Sequence, residues 1–189
     1  RREELCALRW ADVDFERATI RFERSMQRIP GAGVVFAPPK TKRSRRIIRV
    51  GDNCIELLRE YRQIQREQRL RMGSAWVRTV DICGKTIKND LIFTRVDGAP
   101  FDPHSITSWF SKFLKANDLT SAHFHSLRHS NATLLIADHV PVSAVSGRLG
   151  HANISTTLNI YTSAIQSADA AAANSLESTF ERIKEKNHA

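Results

Sequence analysis

The stretch that decides the fold is residues 125–151, which reads HSLRHSNATLLIADHVPVSAVSGRLGH. Leucines at positions 127, 134 and 135 predict one helix. Apolar residues at positions 142, 145 and 149 predict a second helix, which ends at Gly150 because glycine readily adopts the left-handed conformation of a helix end. Ser155 begins a third short helix that leads to Tyr161. We therefore expect this part of the chain to be helical.

The preceding part of the chain alternates between strand and helix patterns. Period-two alternation from Ala18 to Met26, a run at 34–36 and a run at 47–50 predict strands of a small antiparallel sheet. A long helix is expected from about Cys54 to Met72, capped by Asp52 or Asn53, and another begins at Asp102-Pro103. The remaining expectations are a turn at 12–14, an irregular surface loop at 73–90 and a short strand at 91–93. The predicted fold class is α+β, mostly α: a helical domain with a small antiparallel β-sheet on one side.

Composition indicates a basic globular domain. The 189 residues carry a formal net charge of +9, and 41% of them are hydrophobic. A field of this sign attracts polyanions, because each phosphate that meets a Lys or Arg releases condensed counterions. No apolar run approaches the ~20 residues of a membrane helix. Cys6, Cys54 and Cys83 form no CxxC motif, which is typical of a reducing cytoplasm and predicts no disulfide framework.

Several polar residues have the chemistry of phosphoryl transfer. His125 and Arg128 are three positions apart and therefore share a helical face. A guanidinium group offers planar donors suited to phosphate oxygens, and a pair of arginines would stabilise the extra charge of a pentacoordinate phosphorus. A tyrosine hydroxyl is a weak nucleophile at its ordinary pKa of about 10, so it needs cationic or basic neighbours such as His125 and His151. Together these residues predict transfer of a phosphoryl group to a tyrosine.

The same segments resemble the motif boxes of the tyrosine recombinase (phage integrase) family, and they span the chain from Arg1 to Tyr161. Arg-x-x-Glu-Leu at 1–5, His-x-Leu-Arg-His at 125–129 and Leu-Gly-His at 149–151 are similar to its successive boxes. The likeness is greatest to integrases of conjugative transposons and temperate phages. The resemblance implies six catalytic residues, which are Arg1, Lys40, His125, Arg128, His151 and Tyr161.

The resemblance also implies a mechanism of strand exchange that needs no cofactor. Tyr161 attacks the scissile phosphate and forms a 3′-phosphotyrosine link, and Lys40 protonates the leaving 5′-oxygen. Arg1 and Arg128 hold the non-bridging oxygens. His151 adds a hydrogen bond, His125 orients or deprotonates the nucleophile, and Glu4 braces Arg1. The products would be integrated or excised mobile DNA in a bacterial cytoplasm.

Some positions remain open. Lys42 lies two residues beyond Lys40, on the same face of a strand, and is an alternative general acid. The other basic residues of this hairpin, Lys42, Arg43, Arg45 and Arg46, are expected to contact DNA phosphates. His151 and Tyr161 are ten positions apart, where nine is commoner in the family and the transposon-type members share the longer spacing.

Residues 1–189 are expected to be the catalytic domain alone, with its start and a preceding DNA-binding domain missing. Leu176, Phe180 and Ile183 form an apolar stripe in the tail, which needs a surface to cover it. Packing on its own domain is one solution. The resemblance implies another, docking on a neighbouring protomer, and with it a homo-oligomer, a tetramer, on double-stranded DNA.

Three other functions compete with recombination. A type IB topoisomerase uses the same chemistry to relax supercoils, and a truncated chain could be a catalytically incompetent DNA-binding fragment. A zinc enzyme would need a fuller ligand set than His125 and His129, because Ser126 stands where the glutamate of a His-Glu-x-x-His motif belongs, so no metal is expected. Trp10, Trp109 and the Phe110/Phe113 pair are expected in the core, and His123 and His129 are expected to be structural or close to DNA.

Overall fold

The structure, a computed structural model, describes residues 1–38, 44–119, 122–151, 153–160 and 162. The chain forms two compact units, residues 1–128 and residues 129–189. Each unit is built around its own apolar residues, and the two are described separately below.

A short helix and a three-stranded sheet begin the first unit. Helix α1 (Arg2–Cys6) is followed by a 3-10 turn (Trp10–Asp12) and by strands β1 (Val13–Asp14), β2 (Thr19–Phe22) and β5 (Arg46–Arg49). The antiparallel order is β1-β2-β5, and Phe22 lies opposite Arg46. The predicted turn at 12–14 is wrong at its last two residues, because β1 pairs with β2 there.

Two hairpins complete the strands of this unit. Strands β3 (Ser25–Ile29) and β4 (Gly33–Ala37) pair with each other, so the strand predicted over 18–26 is two strands in two different sheets. Strands β6 (Thr79–Ile82) and β7 (Lys85–Lys88) form a hairpin in the segment predicted to be an irregular loop. The missed signal is the Cys83-Gly84 turn, whose positive φ angles match the twist of a tight hairpin.

The segment at 91–93 is not the predicted strand. Only isolated bridges flank it, Arg9 with Leu91 and Thr94 with Pro100. Leu91 and Ile92 are both buried, so neighbouring side chains do not alternate between core and solvent as they would on a sheet with one exposed face. The Ile92 N–H instead donates to the Leu8 carbonyl at 2.9 Å, which ties this segment to the loop after α1.

The long helices of the first unit largely follow the predictions. Helix α2 (Asp52–Met72) begins two residues earlier than expected, after Gly51 rather than after an Asp or Asn cap. Helix α3 (Pro103–Ala116) begins at the predicted place, where the Asp102 carboxylate accepts from the His104 N–H at 2.9 Å. Trp109 on α3 is 61% exposed, so its expected core position is wrong. Its ring instead stacks on Phe113, with centroids 5.5 Å apart.

Two apolar clusters support the first unit. One is centred on Ile20, Phe22, Ile55 and Ile92, and Trp10 packs against it. The other joins α1 to β3 and β4, and its members are Cys6, Ala7, Met26, Phe36, Val80 and Leu91. Both clusters contact α1 or the loop that follows it, so the short first helix is held in place by tertiary packing rather than by its own propensity.

Helices α4 (Ser126–Ala137), α5 (Val142–Leu149) and α6 (155–160) appear as predicted. Helix α5 ends at Gly150, whose φ of 64° is left-handed. Ala132, Ile136, Val145 and Leu149 form the core of the second unit, with Ile160 packed against it. The predicted class, α+β and mostly α, is confirmed, although the strands of the described residues form three small sheets rather than one. Among the described helices, none has the length and apolar character to cross a membrane.

Candidate functional site: an arginine cluster around Glu4

Glu4 is the anionic centre of the candidate site. Glu4 is 4% exposed and is one of the buried residues of α1. Its Oε1 accepts from Arg1 Nη1 at 2.6 Å and from Arg46 Nη1 at 3.2 Å, and its Oε2 accepts from Arg46 Nη2 at 2.9 Å. One carboxylate therefore holds two guanidinium groups, one from the start of α1 and one from the start of β5.

The fold delivers Arg46 to Glu4 through strand pairing. Arg46 is the first residue of β5 and lies opposite Phe22 in the register with β2. Its guanidinium carbon lies 4.5 Å from the centroid of the Phe22 ring, a cation–π contact. Its Nη1 also donates to the Ser44 carbonyl at 3.1 Å. The register of the sheet thus determines which side chain reaches Glu4.

Arg128, in the first turn of α4, is electrostatically coupled to this cluster. Burial and the positive charges of Arg1 and Arg46 lower the pKa of Arg128 to about 10, against the raising effect of Glu4. Burial raises the pKa of Glu4, but the hydrogen bond from Arg46, the amino group of Arg1, the charge of Arg46 and the hydrogen bond from Arg1 hold it at about 2. Within the described residues, Arg1 and Arg46 thus bind the Glu4 carboxylate, and the charge of Arg128 interacts with all three groups. Guanidinium groups offer planar donors that suit an anion with several oxygens, such as a phosphate.

His125 lies in the turn just before α4 and is exposed. Its carbonyl accepts from the Arg128 N–H at 3.1 Å, so the backbone of one residue positions the other. His123 is exposed, and its carbonyl accepts from the Ser126 N–H at 2.9 Å. His129 is exposed on α4, and its carbonyl accepts from Thr133.

His151, in the second unit, follows α5 and is oriented by a residue to which the sequence analysis gave no role. Its Nδ1 lies 2.7 Å from the hydroxyl of Thr157, which is fully buried in α6. This contact fixes the plane of the imidazole ring and assigns Nδ1 to a structural bond. The Ser155-Thr156-Thr157 run was visible in the sequence, but nothing in it indicated which hydroxyl would turn inward.

Several predicted residues lie outside the described residues. They are Lys40, Lys42, Arg43 and Tyr161, together with the tail positions Leu176, Phe180 and Ile183. Of the predicted DNA contacts that the structure describes, Arg45 is exposed, whereas the Arg46 side chain is 10% exposed and faces Glu4. Within the described residues, no group of three or more His, Cys, Asp or Glu side chains could hold a metal ion.

Comparison with known proteins defines the class. A mostly helical α+β domain with Arg1, Arg46 and Arg128 grouped near Glu4 is consistent with the resemblance drawn from the motifs. The chain belongs to the phage integrase family, whose model matches residues 1–167. The family predicted from the motif boxes is therefore confirmed.

Named relatives include recombinases and integrases of bacteria. The chain is 32% identical over 188 residues to a tyrosine recombinase XerC-like protein of Caldanaerobacter subterraneus subsp. tengcongensis, covering 95% of this chain and 46% of that protein. It is 27% identical to the ICEBs1 integrase of Bacillus subtilis, covering 84% of this chain and 40% of the relative. The chain thus spans a little under half the length of these relatives.

Solved structures share the fold. The Tn1549 transposon integrase, in complex with transposon right end DNA, matches with a TM-score of 0.72 at 23% identity, over 85% of this chain and 50% of that chain. XerA recombinase matches with a TM-score of 0.62 at 24% identity, over 89% of this chain and 51% of that chain. At these identities the likeness shows the fold.

Proposed function

We propose that this chain is the catalytic domain of a site-specific DNA recombinase, an integrase that cuts and rejoins DNA through a 3′-phosphotyrosine intermediate. The observation that carries the proposal is the cluster of Arg1, Arg46 and Arg128 around Glu4, in a chain of the phage integrase family. Arg1 and Arg46 both donate to Glu4, and the charge of Arg128 acts on the same group. Guanidiniums gathered in this way suit the charge that a phosphodiester develops in its transition state.

The Tyr161 oxygen forms a bond to phosphorus while the bond from phosphorus to the 5′-oxygen breaks, and the 3′-phosphate stays on the protein. The phenolic proton leaves towards His125, and Lys40, or Lys42 in its place, supplies a proton to the 5′-oxygen. Arg1 and Arg128 stabilise the non-bridging oxygens, and His151, held through Nδ1, donates a further hydrogen bond. A 5′-hydroxyl from another strand reverses the step without a nucleotide cofactor or a metal.

Double-stranded DNA is the proposed partner, within the cytoplasm of a bacterial host. The Tn1549 integrase structures contain DNA, and the named relatives are recombinases and integrases. These names favour strand exchange between two sites over relaxation of supercoils by a type IB topoisomerase. Basic residues of the hairpin, Lys42, Arg43 and Arg45, are proposed to contact phosphates, and the whole protein is proposed to act as a tetramer on paired sites.

A suicide substrate with a nick close to the scissile phosphate tests this function. After cleavage the short strand that carries the new 5′-hydroxyl dissociates, so the strand cannot be rejoined and the covalent adduct accumulates. The substrate carries the ends of the mobile DNA that the chain is proposed to recombine. The parent chain should form an adduct on it, and Tyr161→Phe should form none while still binding DNA. Tyr61→Phe is the matched control, because Tyr61 packs between Trp10 and Phe93 and has no role in the chemistry. Adduct formation should survive a chelator. A parent chain that binds DNA without forming adduct would identify a catalytically incompetent DNA-binding fragment.

A further inference from the structure

Two neighbouring arginines, which look equivalent in the sequence, have different surroundings. Arg45 precedes β5 and is exposed, whereas Arg46 turns its side chain inward and leaves 10% of it exposed. Arg46 is the first residue of β5, and the pairing of this strand with β2 places its side chain in the first unit, whereas Arg45, just before the strand, lies at the surface. A role in binding DNA phosphates, expected of both, is suited to Arg45 alone.

Arg46 is held on several sides by protein groups. Its two terminal nitrogens donate to the two oxygens of Glu4, at 3.2 and 2.9 Å, in the paired geometry that makes arginine–carboxylate contacts strong. The Ser44 carbonyl accepts from Nη1 as well, and the face of the guanidinium lies on Phe22. A DNA phosphate could recruit this side chain only by breaking a buried ion pair.

Arg46 therefore acts through Glu4 on Arg1, which is proposed to bind the phosphate. Oε1 of Glu4 accepts from both Arg46 and Arg1, so the carboxylate is shared between the two guanidiniums. Without Arg46, the full charge of Glu4 would fall on Arg1 and weaken the attraction of Arg1 for a phosphate. With Arg46 in place, Glu4 fixes the direction of Arg1, and Arg46 offsets part of the charge of the carboxylate.

We propose that Arg46 is a positioning residue, which clamps and partly neutralises Glu4 so that Glu4 aims Arg1 at the phosphate without quenching its charge. This role rests on the proposed function, because the direction of the Arg1 side chain matters only if Arg1 binds the scissile phosphate. Arg46 itself does not contact DNA. This distinguishes it from Arg45, Lys42 and Arg43.

The experiment separates DNA binding from the covalent step. Arg46→Gln should lower the single-turnover rate of adduct formation at saturating DNA by about 10- to 100-fold, no more than the loss of a direct transition-state donor costs. The slope of log affinity against log salt should not change, because no phosphate contact is lost. Arg45→Gln should reduce that slope by about one unit. Arg21→Gln is the control for the rate: Arg21 lies opposite Ile47 in the same sheet, about half exposed and outside the cluster.

Two further variants test the route through Glu4. Arg46→Lys keeps the charge but cannot bridge both carboxylate oxygens, so it should also slow the covalent step, by less than Arg46→Gln. The double variant Glu4→Gln/Arg46→Gln should form adduct no more slowly than the slower of the two single variants. Both changes break the same link, which runs from Arg46 through Glu4 to Arg1. If Arg46→Gln does not fold, the rate of Arg46→Lys decides the matter.

The outcomes are distinct. A parent chain without adduct contradicts the proposed function. A parent that forms adduct, with Arg46→Gln or Arg46→Lys at the parent rate, overturns the positioning role. A salt slope that falls by one unit in Arg46→Gln, at an unchanged saturating rate, would make Arg46 a DNA contact and equally overturn it.

Discussion

Glu4 shows how much one residue can organise. A carboxylate on a helix of five residues would ordinarily be solvated, yet here it is buried and bonded to Arg1 and Arg46. Burial disfavours its charge, but the surrounding cations outweigh burial and hold its pKa at about 2. The free energy of that charge–charge attraction is then part of the stability of the folded first unit.

The first residue-scale prediction concerns pH. An acid whose pKa is lower in the folded state than in the unfolded state stabilises the fold above its unfolded pKa, and this stabilisation is lost as pH falls towards the folded value. The free energy of unfolding should therefore fall between about pH 5 and pH 2, by up to roughly 3 kcal/mol from Glu4. Glu4→Gln should show a shallower fall. Urea unfolding of the parent and of Glu4→Gln at several pH values measures the free energy of unfolding of each.

The difference between the two pH profiles reports on Glu4, because the lowered pKa values of Glu3 and Asp102 contribute to the profile of the parent and of Glu4→Gln alike. At pH 7, Glu4→Gln should cost about 3 kcal/mol, since Arg46 would lose its buried partner. Parallel pH profiles for the two proteins would mean that Glu4 is not charged in the folded state by these contacts.

The second residue-scale prediction concerns Thr157. Thr157→Val keeps the shape of the side chain but removes the hydroxyl that lies 2.7 Å from His151 Nδ1. Loss of one oriented hydrogen bond, worth about 1 kcal/mol, should slow adduct formation about 5-fold without weakening DNA binding. Thr156→Val, at the exposed neighbouring position, should leave the rate unchanged. Equal rates in the two variants would show that His151 needs no such support.

At the scale of elements, the loop after β7 depends on close packing against Trp76. Gly98 has a φ of 81°, and a Cβ placed there would lie 2.5 Å from Cε2 of the Trp76 ring. Trp76 is 5% exposed, so its ring has little room to move aside. Asn89 secures the same loop by donating to the Gly98 carbonyl at 2.7 Å. This loop is therefore a tightly packed part of the first unit.

Gly98→Ala should accordingly destabilise the first unit by about 3 kcal/mol, from the left-handed backbone and the clash together. Gly84→Ala serves as the matched control, since Gly84 has a similar φ of 78° but nothing within 4 Å of the added carbon. That variant should lose only about 1 kcal/mol. Chemical unfolding followed by tryptophan fluorescence measures both, and similar losses would show that the Trp76 contact relaxes freely.

On the scale of the whole molecule, charge and assembly are the relevant properties. A net charge of +9 predicts affinity for DNA that falls steeply as salt rises. Assembly is predicted from the sequence of the tail, in which Leu176, Phe180 and Ile183 are spaced as a narrow apolar stripe would be on a helix. An isolated helix of this kind is marginal in water, so the stripe needs a surface to cover it.

We expect the chain to be monomeric in free solution and to assemble on paired DNA sites. Changing Leu176 and Phe180 together to Ser should abolish recombination between two sites while a single site is still cleaved. Native electrophoresis of the DNA complexes, run beside the cleavage assay, measures assembly and chemistry together. The stripe has no part in assembly if the variant recombines at the parent level.

The class of fold, the family and the order of the motif boxes could be predicted from the amino-acid sequence. Apolar periodicity predicted the presence of α2, α3, α4 and α5, because a helical repeat extends over many residues and needs no distant partner to be visible. It did not predict the buried face of α4, since Leu127 and Leu134 are exposed and Ala132 and Ile136 are buried. The hairpin of β6 and β7 was missed because its strands are short and its turn is Cys-Gly rather than one of the common turn pairs. The separation of β2 from β3 was missed because local alternation does not show which strands pair.

Which polar side chains meet depends on the tertiary structure. Arg45 and Arg46 are chemically identical neighbours, and the pairing of β5 with β2 alone turns Arg46 towards a glutamate 42 positions away in the chain. Thr156 and Thr157 are likewise adjacent, and the packing of α6 buries the one that contacts His151. Such choices depend on strand register and on which helical face is buried. Both are set by contacts between residues far apart in the chain, which local patterns do not record.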